Sequence, residues 1–235
     1  MRIVVVNPNT TASMTRKIGE AARLVASPGT TIVAVNPLSG PASIEGFYDG
    51  ALAVPGLLSL MADHREGSAA PGDAFVIGCF DDTGLDAARC LTDKPVIGIG
   101  EAAFHMASML GRRFSVVTTL SRSVAGIEAN LTSYGLMARC GRVRATDIPV
   151  LDLEDPRSGA RGKIDDEINA ALKQDHADVI VLGCAGMADL AADLSRQFGV
   201  PVIDGVAAAV KLGEAMAGLG LKTSKRGAYA VPREK

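Results

Sequence analysis

Two cysteines stand in matching frames, each at the end of an apolar run that predicts a β-strand. Cys79 follows Val76-Ile77-Gly78, and Cys184 follows Val181-Leu182-Gly183. The match continues downstream, where residues of the same type follow each cysteine at the same distances: Leu85, Ala87 and Gly100 in one copy, Leu190, Ala192 and Gly205 in the other. Two opposed thiols suit a reaction in which a thiolate removes a proton from one face of a carbon atom and a thiol returns a proton to the other face.

Most cysteines in apolar segments are inert core residues, and Cys90 and Cys140 fit that description because neither has a counterpart in the other half. Cys79 and Cys184 differ, since each precedes a predicted helix. Unpaired N–H groups at a helix start would lower the thiol pKa, which predicts reactive thiols. Asp81 acts in the opposite direction, because a carboxylate close to Cys79 raises the pKa of its thiol.

Spacing and composition argue against several other functions. The cysteines form no CxxC pair and have no histidine at zinc-ligand spacing, so we expect neither a redox pair nor a metal. The 235 residues are 48% hydrophobic and 21% charged, which is typical of a globular chain. A net charge of -2 leaves no basic field for nucleic acid, and no apolar run is long enough for a signal peptide or a membrane span. We therefore expect a cytoplasmic protein, and lobes of this size predict a homo-oligomer.

Short β-branched runs alternate with alanine-rich helical patterns along the chain. Near-continuous apolar strands between amphipathic helices are typical of parallel sheets buried on both faces, which predicts an α/β fold. The predicted strands are Arg2–Asn7, Thr31–Asn36, Ala74–Gly78, Val96–Gly98, Ser115–Thr118, Arg142–Ile148, Val179–Gly183 and Val202–Ile203. The predicted helices are Ala12–Val25, Ala51–His64, Thr83–Leu91, Ala102–Leu110, Ser121–Tyr134, Ile164–Asp175, Met187–Phe198 and Val206–Gly218.

The internal match extends to the first strand of each half. Arg2, Val5 and Val6 correspond, at one constant shift along the chain, to Arg113, Val116 and Val117. Each half thus supplies a polar strand end and a cysteine strand end, and α/β sheets bind ligands outside the carboxyl ends of their strands. This predicts two similar lobes, related by a pseudo-twofold axis, with the active site in the cleft between them. We expect residues 1–97 and 205–235 to form the first lobe and residues 98–204 the second.

Five segments carry a family resemblance in combination: Asn7-Pro8-Asn9-Thr10-Thr11, Gly40-Pro41-Ala42-Ser43-Ile44-Glu45-Gly46, Cys79-Phe80-Asp81-Asp82, Val117-Thr118-Thr119-Leu120 and Gly183-Cys184-Ala185-Gly186-Met187. Together they resemble the hydantoin and allantoin racemases of the aspartate/glutamate racemase superfamily. The resemblance implies a cofactor-independent racemase in which Cys79 and Cys184 flank the stereocentre and exchange acid and base roles. It also implies substrate contacts from side chains or backbone N–H groups at eight positions: Asn9, Ser43, Phe80, Asp81, Thr118, Thr119, Ala185 and Gly186.

Two departures from the superfamily favour a ring substrate over a free amino acid. The amino-acid racemases of the superfamily typically carry an acidic residue in the first loop and a histidine after the second cysteine, whereas this chain has Asn9 and Gly186 nearby. A proton beside a ring carbonyl is more acidic than one beside a carboxylate, because the enolate charge spreads onto an amide oxygen. N–H groups at the helix starts would stabilise that oxyanion. We therefore expect racemisation at C5 of a 5-substituted hydantoin, with allantoin, another small cyclic ureide, as the alternative.

Two other classes remain open from the sequence. Gly98-Ile99-Gly100-Glu101-Ala102-Ala103 matches the dinucleotide fingerprint G-x-G-x-x-A, which keeps a nicotinamide-dependent dehydrogenase as an alternative. Thr118, however, takes the place where that fingerprint needs an acidic residue for the ribose. Two lobes around a cleft also describe a non-catalytic solute-binding protein, although such a protein has no need of paired reactive thiols.

Overall fold

The computed structural model describes residues 1–155 and 157–233, so the last two residues of the expected first lobe lie outside it. Within this range the chain forms two parallel four-stranded sheets flanked by helices, which confirms the predicted two-lobed α/β fold. The strands of the first sheet are β1 (Arg2–Val6), β2 (Thr31–Val35), β3 (Ala74–Ile77) and β4 (Val96–Gly98). Those of the second are β5 (Phe114–Thr118), β6 (Cys140–Ala145), β7 (Val179–Leu182) and β8 (Val202–Asp204).

The two sheets have the same strand order, and their central pairings, β1–β3 and β5–β7, have the same register. The β5–β6 pairing differs from β1–β2 by a register shift between Phe114 and Val116. The orders are β2-β1-β3-β4 and β6-β5-β7-β8. Ile3 pairs with Ala74 in the first sheet, and Phe114 pairs with Val179 in the second, as the internal repeat predicts. One detail of the repeat is wrong: because Gly98 and Asp204 hold equivalent places in the last strands, Gly205 corresponds to Ile99 and not to Gly100.

The helices cover both faces of each sheet. α1 shows why: Met14, Ile18 and Ala22 recur at four-residue spacing and are buried, so the helix has one apolar face. The segment predicted as one helix from Met187 is a 3-10 helix, Ala185–Leu190, followed by α7. The helices are α1 (Ala12–Val25), α2 (Phe47–Asp63), α3 (Leu85–Leu91), α4 (Ile99–Leu110), α5 (Ser121–Ser133), α6 (Ala160–Gln174), α7 (Ala191–Phe198) and α8 (Gly205–Gly218).

The connections at α4 and α8 join the lobes. α4 leaves the first sheet and packs against β7 of the second, and α8 leaves the second sheet and packs against α1 and β3 of the first. A central apolar core between the sheets draws residues from both, among them Val76, Phe104 and Val181. The chain therefore returns to the first sheet after β8, although the lobe limits at residues 97/98 and 204/205 stay a prediction.

Candidate active site

The carboxyl ends of β1, β3, β5 and β7 surround a cavity of about 40 Å³ between the two sheets. Cys79 lies just beyond β3, and Cys184 lies just beyond β7. Both cysteines line this cavity. The structure thus brings the duplicated thiols to one place, because equivalent strand ends of the two lobes face a common cleft.

Six of the eight predicted substrate-binding residues line the same cavity: Asn9, Phe80, Asp81, Thr118, Thr119 and Ala185. Ser43 and Gly186 are not among its lining residues. Ile44 lines the cavity beside Ser43, and Gly186 lies close to the Cys184 sulfur, since a Cβ added there would be 3.6 Å from it. The binding roles of all eight residues stay predictions.

Four further side chains line the cavity that the sequence did not single out: Met14, Ile44, Ser123 and Val150. Met14 and Val150 are apolar, and their sequence pattern does not distinguish them from core residues. Ser123 could have been predicted from the sequence, because it is a polar residue in the first turn of α5, close after the predicted Thr118 and Thr119.

The loop after β1 is held by its own asparagines. The buried Asn7 amide donates to Asn9 Oδ1 at 2.9 Å and to Thr15 Oγ1 at 3.0 Å. Asn9 Oδ1 also accepts from the Thr11 N–H at 2.9 Å, an Asx turn that leads into α1. Asn9 Nδ2 lies 3.7 Å from the Met14 sulfur, a weak acceptor, so its N–H groups keep capacity for a substrate oxygen.

The loop after β5 contributes hydroxyl groups. Thr118 donates its hydroxyl to the Gly183 carbonyl oxygen at 2.9 Å, which ties β5 to the residue that precedes Cys184. Thr119 and Ser123 are buried and line the cavity, and their hydroxyls supply further donors and acceptors there. The Thr118 hydroxyl is therefore bonded within the protein, whereas a contact of Thr119 or Ser123 with a ligand stays a prediction.

Polar groups near each sulfur act against the effect of burial. The backbone N–H of Asp81 acts to lower the pKa of Cys79, and that of Gly186 acts to lower the pKa of Cys184. The Thr83 hydroxyl donates to Cys79 at 3.4 Å. These groups favour the thiolate forms.

The expectation that helix starts lower both thiol pKa values is wrong. α3 begins only at Leu85, and the element directly after Cys184 is a short 3-10 helix, so neither sulfur lies at the N-terminus of a long helix. Burial dominates instead and raises the pKa of Cys184 to about 11 and that of Cys79 higher still. Asp81 also raises the pKa of Cys79, as predicted, and burial raises the pKa of the Asp81 carboxyl itself to about 6.

The helix start that matches the dinucleotide fingerprint is already occupied. The Asp82 carboxylate accepts hydrogen bonds from the N–H groups of Gly100 at 2.9 Å and Glu101 at 2.7 Å, and so caps α4. A Cβ on Gly98 would overlap this carboxylate. The fingerprint glycines thus make room for Asp82, and the N–H groups that would hold a pyrophosphate are already bonded.

A second cavity, of about 290 Å³, adjoins the first, with Asp81 and Ser123 in both linings. Arg122 also lines the second cavity. The remainder of its lining includes small and apolar residues of α2 and α5 and of the turn before α2: Gly46, Phe47, Gly50, Ala51, Val54, Gly126 and Ala129. A larger and mainly apolar cavity therefore lies beside the thiol site.

Comparison with known proteins agrees with this arrangement. The family model for Asp/Glu/hydantoin racemases matches residues 3–213. The chain belongs to the Asp/Glu/hydantoin racemase family. This racemase is 51% identical over 235 residues to the hydantoin racemase of Rhizobium meliloti, with 100% of this chain and 96% of that protein covered.

Solved structures resemble the racemase equally closely. The allantoin racemase from Klebsiella pneumoniae is 51% identical, with a TM-score of 0.96 over 100% of this chain and 95% of that one. The allantoin racemase from Pseudomonas fluorescens is 44% identical, with a TM-score of 0.94 over 100% and 98% of the two chains. These three relatives are all racemases, one named for hydantoin and two for allantoin.

Residues 1–155 and 157–233 lack two kinds of structural feature. None of the racemase's helices in that range is long and apolar enough to cross a membrane. Over the same residues, no group of three or more His, Cys, Asp or Glu side chains is arranged to hold a metal ion.

Proposed function

We propose that the racemase inverts C5 of 5-substituted hydantoins by passing a proton between two cysteine thiols, without a cofactor. One observation carries the proposal: Cys79 and Cys184 follow equivalent strands of the two lobes and line the same cavity. A carbon atom held between them would present its two faces to two groups that each bear one exchangeable proton.

The proposed reaction has two proton transfers. The Cys184 thiolate takes the C5 proton, so that an S–H bond forms, the C5–H bond breaks and the electron pair moves to the ring carbonyl as an enolate. The Cys79 thiol then gives its proton to the opposite face of C5. The product is the other enantiomer, with the thiolate now on Cys79, and the reverse reaction uses the same groups in exchanged roles.

Burial of the thiols supports this chemistry. A thiolate whose pKa is raised by burial is a stronger base towards a carbon acid than an ordinary thiolate. Donors near the ring would stabilise the enolate oxygen, and Asn9 Nδ2 and the Thr119 hydroxyl are candidates from the cavity lining. Asp81, which also lines the cavity, is a candidate acceptor for a ring N–H.

The adjoining cavity supports an apolar substituent at C5. Because small and apolar residues dominate its walls, an alkyl or aromatic group entering it would be removed from water favourably. The ureido group of allantoin would instead depend on the polar part of the lining, which includes Thr83, Arg122 and Asn130. Allantoin is the second candidate, supported by the 51% identity to the Klebsiella pneumoniae allantoin racemase.

The test follows optical rotation of an enantiopure 5-alkyl hydantoin and, separately, of allantoin, in deuterated buffer with a chelator and no added cofactor. We expect Cys79→Ser and Cys184→Ser each to slow racemisation by about 10²-fold or more. Cys90→Ala is the matched control and keeps the parental rate. Each serine variant retains one thiol and is expected to exchange deuterium into one enantiomer only.

The outcomes separate mechanism from substrate. Racemisation at the parental rate by either serine variant contradicts the two-thiol mechanism. A higher kcat/KM for allantoin than for 5-alkyl hydantoins reverses the substrate assignment and leaves the mechanism intact.

We also propose that the enzyme works in the cytoplasm as a homo-oligomer. Exposed apolar side chains at the start of α2 and just before it support self-association: Leu38, Phe47, Tyr48 and Leu52. Light scattering of the purified protein checks this, and a mass of one chain contradicts it.

A further inference from the structure

Lys17 of α1 crosses from the first lobe to the turn that follows Cys184 in the second. Its Nζ donates to the Gly186 carbonyl oxygen at 2.6 Å and lies 3.0 Å from the Asp189 carboxylate. Gly186 also lies close to the thiol, since a Cβ added to it would be 3.6 Å from the Cys184 sulfur, and its N–H acts to lower the pKa of that thiol. The residue beside the Cys184 sulfur is therefore held by an ammonium group of the opposite lobe.

The other thiol loop is held in the same manner by a different kind of group. The N–H of Asp81 acts to lower the pKa of Cys79, and the Asp81 carbonyl oxygen accepts from the side-chain amide of Asn130 at 2.8 Å. Asn130 lies on α5, which follows the first strand of the second lobe as α1 follows that of the first. Each loop is thus fixed from the opposite lobe, one by a cation and one by a neutral amide.

The charged groups around the two sulfurs differ accordingly. The charges that act on Cys184 are, in order of decreasing effect, the carboxylate of Asp81, the ammonium of Lys17 and the carboxylate of Glu45. Cys79 has the carboxylates of Asp81 and, more weakly, Asp82. Asp189 offsets part of the Lys17 charge, but its side chain is 56% exposed and therefore screened by water. Burial and these charges leave Cys184 with the lower of the two raised pKa values.

We propose that Lys17 is a positioning residue for racemisation: it fixes the turn after Cys184 and places a positive charge beside that turn, so that Cys184 ionises more readily than Cys79. The inference rests on the proposed two-thiol reaction. The form with the thiolate on Cys184 accepts the enantiomer whose C5 proton faces Cys184. After that turnover the thiolate is on Cys79, and the starting form is restored when Cys79 takes a proton from solvent and Cys184 releases one, or when the opposite enantiomer is turned over.

The test measures the thiols without substrate. Iodoacetamide alkylates thiolates, and peptide mass spectrometry reports the rate at each cysteine as the pH is raised from about 7 to about 9. In the parental enzyme we expect the rate at Cys184 to rise at lower pH than the rate at Cys79. Lys17→Met, which removes the charge and the donor, is expected to slow alkylation of Cys184 about threefold to tenfold at fixed pH and leave Cys79 within about twofold.

Two further variants distinguish the charge from a merely structural ion pair. Lys17→Arg keeps the charge and the donors and is expected to restore the rate at Cys184 to within about twofold of the parental value. Asp189→Asn breaks the ion pair but removes a negative charge, so alkylation of Cys184 should be unchanged or faster. If the ion pair mattered only for folding, Asp189→Asn would slow alkylation of Cys184 as Lys17→Met does.

Racemisation supplies the second readout. The acid limb of the kcat/KM profile against pH is expected to move to higher pH in Lys17→Met and to stay in place in Lys17→Arg. The role of Lys17 is overturned if Lys17→Met slows alkylation of both cysteines equally or of neither. It is also overturned if, in the parental enzyme, the alkylation rate of Cys79 rises at lower pH than that of Cys184. Absence of racemisation by the parental enzyme would instead contradict the proposed function, whatever the alkylation rates.

Discussion

The Tyr134 hydroxyl, at the end of α5 in the second lobe, donates a 2.8 Å hydrogen bond to the Asp82 carboxylate in the first. Asp82 lies in the loop of Cys79 and also caps α4 through the Gly100 and Glu101 N–H groups. One buried carboxylate thus connects the thiol loop, the helix that links the lobes and a helix of the opposite lobe. Burial raises the pKa of Asp82 to about 7, although the three donors act against that rise.

Asp82→Ala is expected to lower the free energy of unfolding by about 1–3 kcal/mol, since it removes a helix cap and leaves buried donors unpaired. Asp204 provides the matched control, because it caps α8 through the Val206 and Ala207 N–H groups without contacting a thiol loop. Asp204→Ala should cost a similar free energy in urea unfolding but reduce kcat less. Equal loss of kcat in the two variants would show that Asp82 has no particular role in the thiol loop.

Asn130→Ala removes the side chain that fixes the Asp81 carbonyl oxygen from the opposite lobe. We expect kcat for hydantoin racemisation to fall about tenfold, because a small displacement of the Cys79 loop misplaces a proton donor. Asn169→Ala is the control: Asn169 makes a similar amide-to-carbonyl hydrogen bond, 3.0 Å long, on the exposed surface of α6. Steady-state kinetics of both variants check this, and equal rates would contradict it.

The sequence predicted the sheets and the meeting of the thiols because those features depend on local apolar runs and on the internal repeat. Ile3 and Phe114 hold the equivalent places that the repeat assigns them. The thiol pKa values could not be predicted in this way. They depend on how completely water is excluded from Cys79 and Cys184, which is a property of the packed lobes and not of the flanking residues.

The contacts that fix the thiol loops could not be predicted from the sequence for a related reason. Lys17 and Asn130 lie on exposed or half-buried helix faces, where a polar residue has no distinctive pattern, and their partners come from the opposite lobe. The fingerprint at Gly98 and Gly100 was misleading because glycine makes room for any close neighbour. Here that neighbour is the carboxylate of Asp82.

Gly100→Ala tests the close approach of the thiol loop to α4. A Cβ at this position would overlap the Phe80 carbonyl oxygen, a backbone atom that moves only with the loop of Cys79. We expect a loss of about 1–3 kcal/mol in the free energy of unfolding, together with slower racemisation. Gly218→Ala, in the last turn of α8 with no atom within 4 Å of the added Cβ, should leave the rate unchanged and raise stability by up to about 1 kcal/mol. Urea unfolding and kinetics of the pair check both expectations.

Asp81→Asn tests the carboxylate that raises the pKa of both thiols. Because burial raises the pKa of Asp81 from 3.8 to about 6, folded protein binds this proton more tightly than unfolded protein does. The Asp81 contribution to the free energy of unfolding therefore falls as the pH rises from about 4 to about 6 and is constant above that. The variant lacks this fall, so its stability relative to the parental enzyme should increase across the same window in urea titrations. A stability difference between variant and parent that does not depend on pH would mean that Asp81 titrates normally in the folded enzyme. In a second measurement, at pH about 8, iodoacetamide should alkylate Cys79 faster in Asp81→Asn than in the parental enzyme.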